Sequence, residues 1–118
     1  MDDFKGQIRS LIVYGDAFWI FFYKQTQKVQ ARILWTIRLV RDLQLVPQTY
    51  LKHMEGSDGL CEIRVSTGNN IFRIFCFFDE GQLVILLNGF QKKTQKTPKS
   101  EIERAEKLKI KYYEDKQK

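Results

Sequence analysis

The sequence is short of the residues that mark several classes of protein. Among 118 residues there are two cysteines, one histidine, two prolines and seven glycines. Cys61 and Cys76 cannot build the disulfide framework of a small secreted domain, and with His53 as the only histidine no Cys/His cluster has zinc-ligand spacing. The two cysteines read as buried reduced thiols. So few prolines and glycines leave little room for long linkers, and an aromatic content of 14% argues against a chain that stays unfolded. Long apolar runs are missing too: residues 17–23, and 83–87 resuming at Phe90, fall far short of the ~20 residues of a spanning helix. The start, Met1-Asp2-Asp3-Phe4-Lys5, is acidic where a secretory signal would be basic. A cytoplasmic protein that neither crosses nor binds a membrane is expected.

What is present is a positive surplus on a globular composition. Twenty Lys and Arg stand against 14 Asp and Glu, a formal charge of +6, with 43% hydrophobic residues. A chain of this length buries roughly 65% of its unfolded surface and needs no staples. One domain over residues 1–118 is expected.

The coarse order of elements follows from periodicity. Residues 7–14 (QIRSLIVY) read as a strand closed by Gly15-Asp16, and Asp16 can cap the next element. Residues 17–25 fit a buried strand or a buried helix, with helix preferred. Thr26 is placed to cap a longer helix in which Val29, Ile33, Ile37 and Val40 recur on one face, with Lys28, Arg32, Arg38 and Arg41 opposite, and Pro47 stops it. From Leu60 the period becomes two: Cys61, Ile63 and Val65 alternate with Glu62, Arg64 and Ser66, and residues 71–78 resume the pattern after Thr67-Gly68-Asn69-Asn70. Residues 82–90 (QLVILLNGF) read as a strand covered on both faces. Residues 101–118 read as a charged helix, capped by Thr97 with Pro98 at its first position or by a Ser100/Glu103 capping box. The expected fold class is α+β, an antiparallel twisted sheet with helices packed on one face and the other face open.

The hairpin turn fixes a register. A two-residue turn at Gly68-Asn69, of the type II′ kind that takes glycine first, pairs Thr67 with Asn70 and sets Arg64 opposite Arg73. Opposed like charges cost a few tenths to about 1 kcal/mol unless a carboxylate or an anionic ligand lies beside them. Glu62, on the same face, supplies the first; a solvated pair of surface arginines is the plain alternative. Phe75 and Phe77 share that face, where rings could stack on bases while guanidiniums hold phosphate, or simply fill the core, the reading preferred for Phe77. The same register sets Cys61 against Cys76. Beyond the last strand, residues 91–99 hold Lys92, Lys93, Lys96 and Lys99 with no acid, either a solvated surface or an anion site.

Three blocks of sequence carry a resemblance. Gly59-Leu60-Cys61-Glu62-Ile63-Arg64, Ile71-Phe72-Arg73-Ile74-Phe75 and Asn88-Gly89-Phe90-Gln91-Lys92-Lys93-Thr94-Gln95-Lys96-Thr97-Pro98 resemble the phage-derived, HigB-like branch of the RelE/ParE toxin superfamily. Residues 28–43 are similar to that family's central helix. Arg64 matches the arginine of the family's Glu-Leu-Arg block, and Arg73 the arginine after an aromatic in the next strand. Lys92, Lys93 and Lys96 match the block Gly-Phe-x-Lys-Lys-x-x-Lys-Thr-Pro. Asn88 departs from the histidine found before Gly-Phe in many relatives, and Cys61 from an aromatic. The resemblance implies a small RelE-like fold, ribosome-dependent cleavage of mRNA without a metal or other cofactor, and a cognate helix-turn-helix antitoxin as partner besides mRNA and ribosome.

For that chemistry the RNA 2′-hydroxyl attacks the adjacent phosphorus, which calls for a base, an acid and positive charge on the phosphorane. Arg64 and Arg73 suit the charge, and Lys92 and Lys93 either position the backbone or move a proton. His53 and Glu62 are the candidate bases, with a loop residue and a holder of Arg64 as their plainer roles. Lys96, Lys99, Lys52, Phe75 and Phe90 are the candidate RNA-binding residues. Tyr112 and Tyr113 could stack on a base or act as an acid, with packing of the last helix the preferred reading. Two other activities stay open: a gyrase-directed toxin of the same fold, and a non-catalytic nucleic-acid-binding adaptor.

Overall fold

A computed structural model describes residues 4–118. Residues 1–3, which carry the acidic start, lie outside the described residues. The element order is β1 (Ser10–Val13), α1 (Ala17–Tyr23), α2 (Gln27–Asp42), β2 (Leu51–His53), β3 (Cys61–Thr67), β4 (Asn70–Phe78), β5 (Leu83–Lys92) and α3 (Lys99–Lys116). Among the described residues no helix is long and apolar enough to cross a membrane.

The long helix is built as its periodicity predicts. Thr26 is extended and its side chain accepts the Val29 N–H at 3.3 Å, while Val29, Ile33, Ile37 and Val40 are buried. Its far end is closed by a residue distant in sequence. The buried Arg9 guanidinium donates to the carbonyls of Val40, Leu43 and Gln44, acceptors that a helix end leaves without partners. Asp16 stands at the N-cap of α1 without a side-chain cap bond. Pro98 itself takes the N-cap of α3, also without one, so neither the Thr97 cap nor the Ser100/Glu103 box forms.

The five strands lie in the order β1-β5-β4-β3-β2. The β3–β4 register is the expected one, with Thr67 opposite Asn70, Arg64 opposite Arg73 and Cys61 opposite Cys76. Gly68 has φ +59°, the positive value that the first position of a type II′ turn requires, and among the described residues no non-glycine residue has positive φ. Both cysteines are free and buried, and burial pushes the Cys76 thiol up.

Two features correct the expected architecture. The sheet is mixed rather than antiparallel, because β1 joins the outer edge of β5 and runs parallel to it, Ser10 beside Leu83 and Val13 beside Leu86. The helices also cover both faces. α1 and α2 close one face over Ile63, Val65, Phe72, Ile74 and Leu86. α3 closes part of the other, with Ile102, Ala105, Leu108, Tyr112 and Tyr113 against Leu60, Phe75, Phe77, Ile85, Leu87 and Phe90. The reason is energetic: each phenylalanine left in water would forgo about 1.5–3 kcal/mol of burial.

β5 carries a bulge. Ile74 pairs with Gly89 but Cys76 pairs with Leu86, so Leu87 and Asn88 together span one residue of β4, Phe75. Before the bulge the odd-numbered Ile85 and Leu87 meet α3; after it the even-numbered Phe90 and Lys92 lie opposite Arg73 and Ile71. Gly89 faces α1 at close quarters, since a Cβ there would lie 2.5 Å from the Phe21 ring.

A polar clasp holds the C-terminal half of α3. Tyr112 donates to Asp79 Oδ2 at 2.7 Å and Lys116 Nζ donates to the same oxygen at 2.8 Å. Burial opposes ionisation of Asp79, but Lys116 and Tyr112 outweigh it and hold its carboxyl below the ordinary value of 3.8. A lowered folded pKa means stability that is complete above the unfolded value and is lost as pH falls through the folded one. Acid titration should therefore cost the native chain stability below about pH 4, and Asp79→Asn should flatten that limb in urea titrations at stepped pH. An unchanged acid limb would show that the clasp contributes nothing.

Candidate nucleic-acid interface

The hairpin end of the second face is not roofed by α3, and there the two arginines meet. Arg64 is half-buried and Arg73 is 6% exposed. They share a groove of about 280 Å³ with Thr49, Val65, Ser66 and Ile71. Thr49 belongs to the turn after Pro47, whose next residue, Tyr50, accepts the Arg64 backbone N–H at 2.8 Å. The Arg73 guanidinium donates one bond, to the Phe72 carbonyl at 3.1 Å. The Nε atoms of Arg64 and Arg73 are buried and have no hydrogen-bond partner.

Glu62 is the nearest compensation, and it is incomplete. Its Oε2 lies 3.8 Å from Arg73 Nε, an ion pair too long to be a hydrogen bond, and both side chains are almost wholly buried. Burial first, and then the Arg64 charge, lower the Arg73 pKa, with Glu62 acting the other way. A guanidinium nevertheless stays charged in proteins. The groove thus holds two fixed positive charges with donors to spare, the complement of a phosphate or another oxyanion. Glu62→Gln should destabilise the fold by about 1–3 kcal/mol and enlarge the thermal stabilisation given by added sulfate. A melting temperature that ignores both the substitution and the anion would show that the arginines are already satisfied.

The structure brings together only some of the residues singled out from the sequence. Lys92, half-buried, lies opposite Ile71 on the same face as Arg73, and Lys52 lies opposite Glu62 on that face at the sheet edge. Lys93 and Lys96 are exposed on the connection after β5, and Lys99 is exposed at the first turn of α3. His53 is paired with Cys61, which puts it on the α1/α2 face, away from the arginines; its place in a catalytic set with Arg64 and Arg73 is corrected on that ground. Phe75 and Phe90 are likewise corrected as stacking residues. Their rings pack on each other at 5.5 Å inside the core under α3. Phe77, Tyr112 and Tyr113 are core partners, as expected.

Two residues that line the groove were not singled out from the sequence. Thr49 and Ser66 line the groove without any motif to announce them. Asn88 is wholly buried, and its Nδ2 donates to the Glu101 carbonyl at 3.2 Å and to Glu101 Oε1 at 3.0 Å, fixing the first turn of α3. In the sequence it is marked only by its departure from the histidine that many relatives carry before Gly-Phe. Among the described residues no three or more His, Cys, Asp or Glu are grouped to hold a metal ion.

Comparison with known families supplies the remaining observation: the family described as "Phage derived protein Gp49-like (DUF891)" matches residues 21–109. The chain belongs to that family. The matched stretch runs from α1 to the middle of α3 and so contains both arginines, Glu62 and the lysine block of this Gp49-like chain. No curated protein matches the sequence.

Proposed function

We propose that this Gp49-like chain is a toxin of the RelE/ParE superfamily, of the HigB-like kind, and that it cleaves mRNA on the ribosome. The carrying observation is the opposed pair of half-buried Arg64 and buried Arg73, which share one groove and whose buried Nε atoms have no hydrogen-bond partner. In the proposed reaction the 2′-oxygen forms a bond to phosphorus and the bond to the 5′-oxygen breaks. The products are a 2′,3′-cyclic phosphate and a 5′-hydroxyl; the proton of the attacking hydroxyl goes to a base and the leaving oxygen gains one. Arg64 and Arg73 offset the extra negative charge that develops on the phosphorane oxygens. Lys92 holds the neighbouring phosphate, and Lys52, Lys93, Lys96 and Lys99 draw the strand in. Glu62, already beside Arg73, is the remaining candidate base on that face.

The family resemblance in the blocks around Arg64, Arg73 and Lys92 supports this reading, as does the helix-and-sheet architecture. A helix-turn-helix antitoxin is the proposed partner that restrains it, and the cytoplasm the proposed place of action. The test is induction in growing cells followed by mapping of mRNA 5′ ends. Codon-phased 5′-hydroxyl ends that vanish with Arg73→Ala support the proposal. Intact transcripts beside arrested growth would overturn it in favour of a gyrase-directed toxin, and unaffected growth in favour of an adaptor.

A further inference from the structure

A second groove, of about 510 Å³, lies between α2 and the hairpin tip, and Ser66 lines both it and the arginine groove. Its α2 wall carries Lys28, Arg32 and Trp35; its other wall is Ser66, Thr67 and Gly68. Trp35 is 40% exposed, a large surface for an indole. The ring is held rather than loose, edge-on to Tyr50 at 5.7 Å, with the Arg32 guanidinium 4.0 Å above its centroid. Among the described residues no carboxylate lines either groove.

We infer that this groove is a stacking subsite for a base of the same RNA strand whose phosphate is held by Arg64 and Arg73, a reading that rests on the proposed RNA substrate. A strand passing over Ser66 has its charge met on one side by Arg64 and Arg73 and on the other by Lys28 and Arg32. The base takes the place of the guanidinium on the Trp35 ring, which is stiff because Tyr50 buttresses it. The displaced Arg32 turns to the adjoining phosphate. An indole recognises every base by its face, so the subsite adds affinity with little sequence preference. An acidic peptide would satisfy the cations but would leave the indole unused, which is why a nucleic acid fits better.

The chain has two tryptophans, so its own fluorescence reports the event. The probe is a 2′-O-methyl RNA of about six nucleotides, which cannot be cut, a length within the site sizes of single-strand grooves. Expected is saturable quenching in the wild type, absent from Trp35→Phe although fluorescence anisotropy still shows that variant binding the RNA. Trp35→Ala should weaken binding about tenfold, and Arg32→Ala by a smaller factor. Anisotropy that reports binding while emission stays unchanged would overturn the subsite, as would quenching that persists in Trp35→Phe or the absence of any binding. The nuclease reading fails separately. Quenching by a chain that leaves transcripts whole would keep the subsite and discard the cleavage, and phased cutting with unquenched Trp35 would do the reverse.

Discussion

Replacing Arg73 by alanine is expected to slow RNA cleavage by about 10²–10³-fold, the loss seen when a preorganised donor to a developing oxyanion is removed. The argument lies in how Arg73 is held. It is almost wholly buried, its guanidinium held by the Phe72 carbonyl and beside Glu62, while its Nε has no hydrogen-bond partner, so its charge is fixed in place and incompletely met. Donors fixed in advance need no reorganisation when charge develops on the phosphorane. Arg73→Lys keeps the charge but not the planar fork, so it should recover only part of the rate. Because alanine leaves Glu62 without its ion-pair partner, the lysine variant also serves as the check on folding, with the melting temperature measured for both. A well-folded variant cutting at the wild-type rate would remove Arg73 from the chemistry.

The largest effect on stability should come from Phe77→Ala, about 3–5 kcal/mol. Phe77 is buried beneath α3, with Tyr112 and Tyr113 rings at 5.5 and 5.6 Å and the Lys109 ammonium 5.2 Å from its centroid. Tyr112 cannot collapse into the cavity without breaking the Asp79 clasp, so much of the void persists. Urea unfolding should show the loss, and amide exchange should show α3 opening first. Phe78→Ala, one residue on and partly exposed on the opposite face, is the control, with a loss well below that of Phe77→Ala. Equal losses would mean that α3 is not anchored through Phe77.

Sequence and structure agree where a local rule sufficed. The two-residue turn dictated the whole β3–β4 ladder, and with it the meeting of Arg64 and Arg73, because antiparallel partners sum to a constant. Thr26 and the Val29, Ile33, Ile37 and Val40 spacing likewise marked α2. What escaped depended on distant partners. β2 is only three residues long with two of them exposed, so it has no pattern of its own. The last helix was legible as a charged helix with Tyr112 and Tyr113 as packing residues, but nothing local told which sheet face it would cover with Ile102, Ala105, Leu108 and Tyr112. That single uncertainty misplaced Phe75 and Phe90 on a working surface. His53 went astray for a related reason, since the strand pairing that turns it away could not be seen before β2 was known. Trp35 and Arg32 were legible as residues of α2, yet their nearness to the hairpin tip is purely tertiary.

The doubled step at Leu87 and Asn88 has a consequence for how the chain can change over time. The ladder on either side would close just as well with one residue fewer, so pairing alone does not demand both. Having two side chains where one would do lets the strand assign separate duties at the same level, a hydrophobic plug and an anchor for the following helix. Exchanging the anchor would retune where that helix begins without disturbing the alternation that delivers Arg73 and Lys92 to one side. The arginine groove and the roof beside it can therefore be adjusted independently.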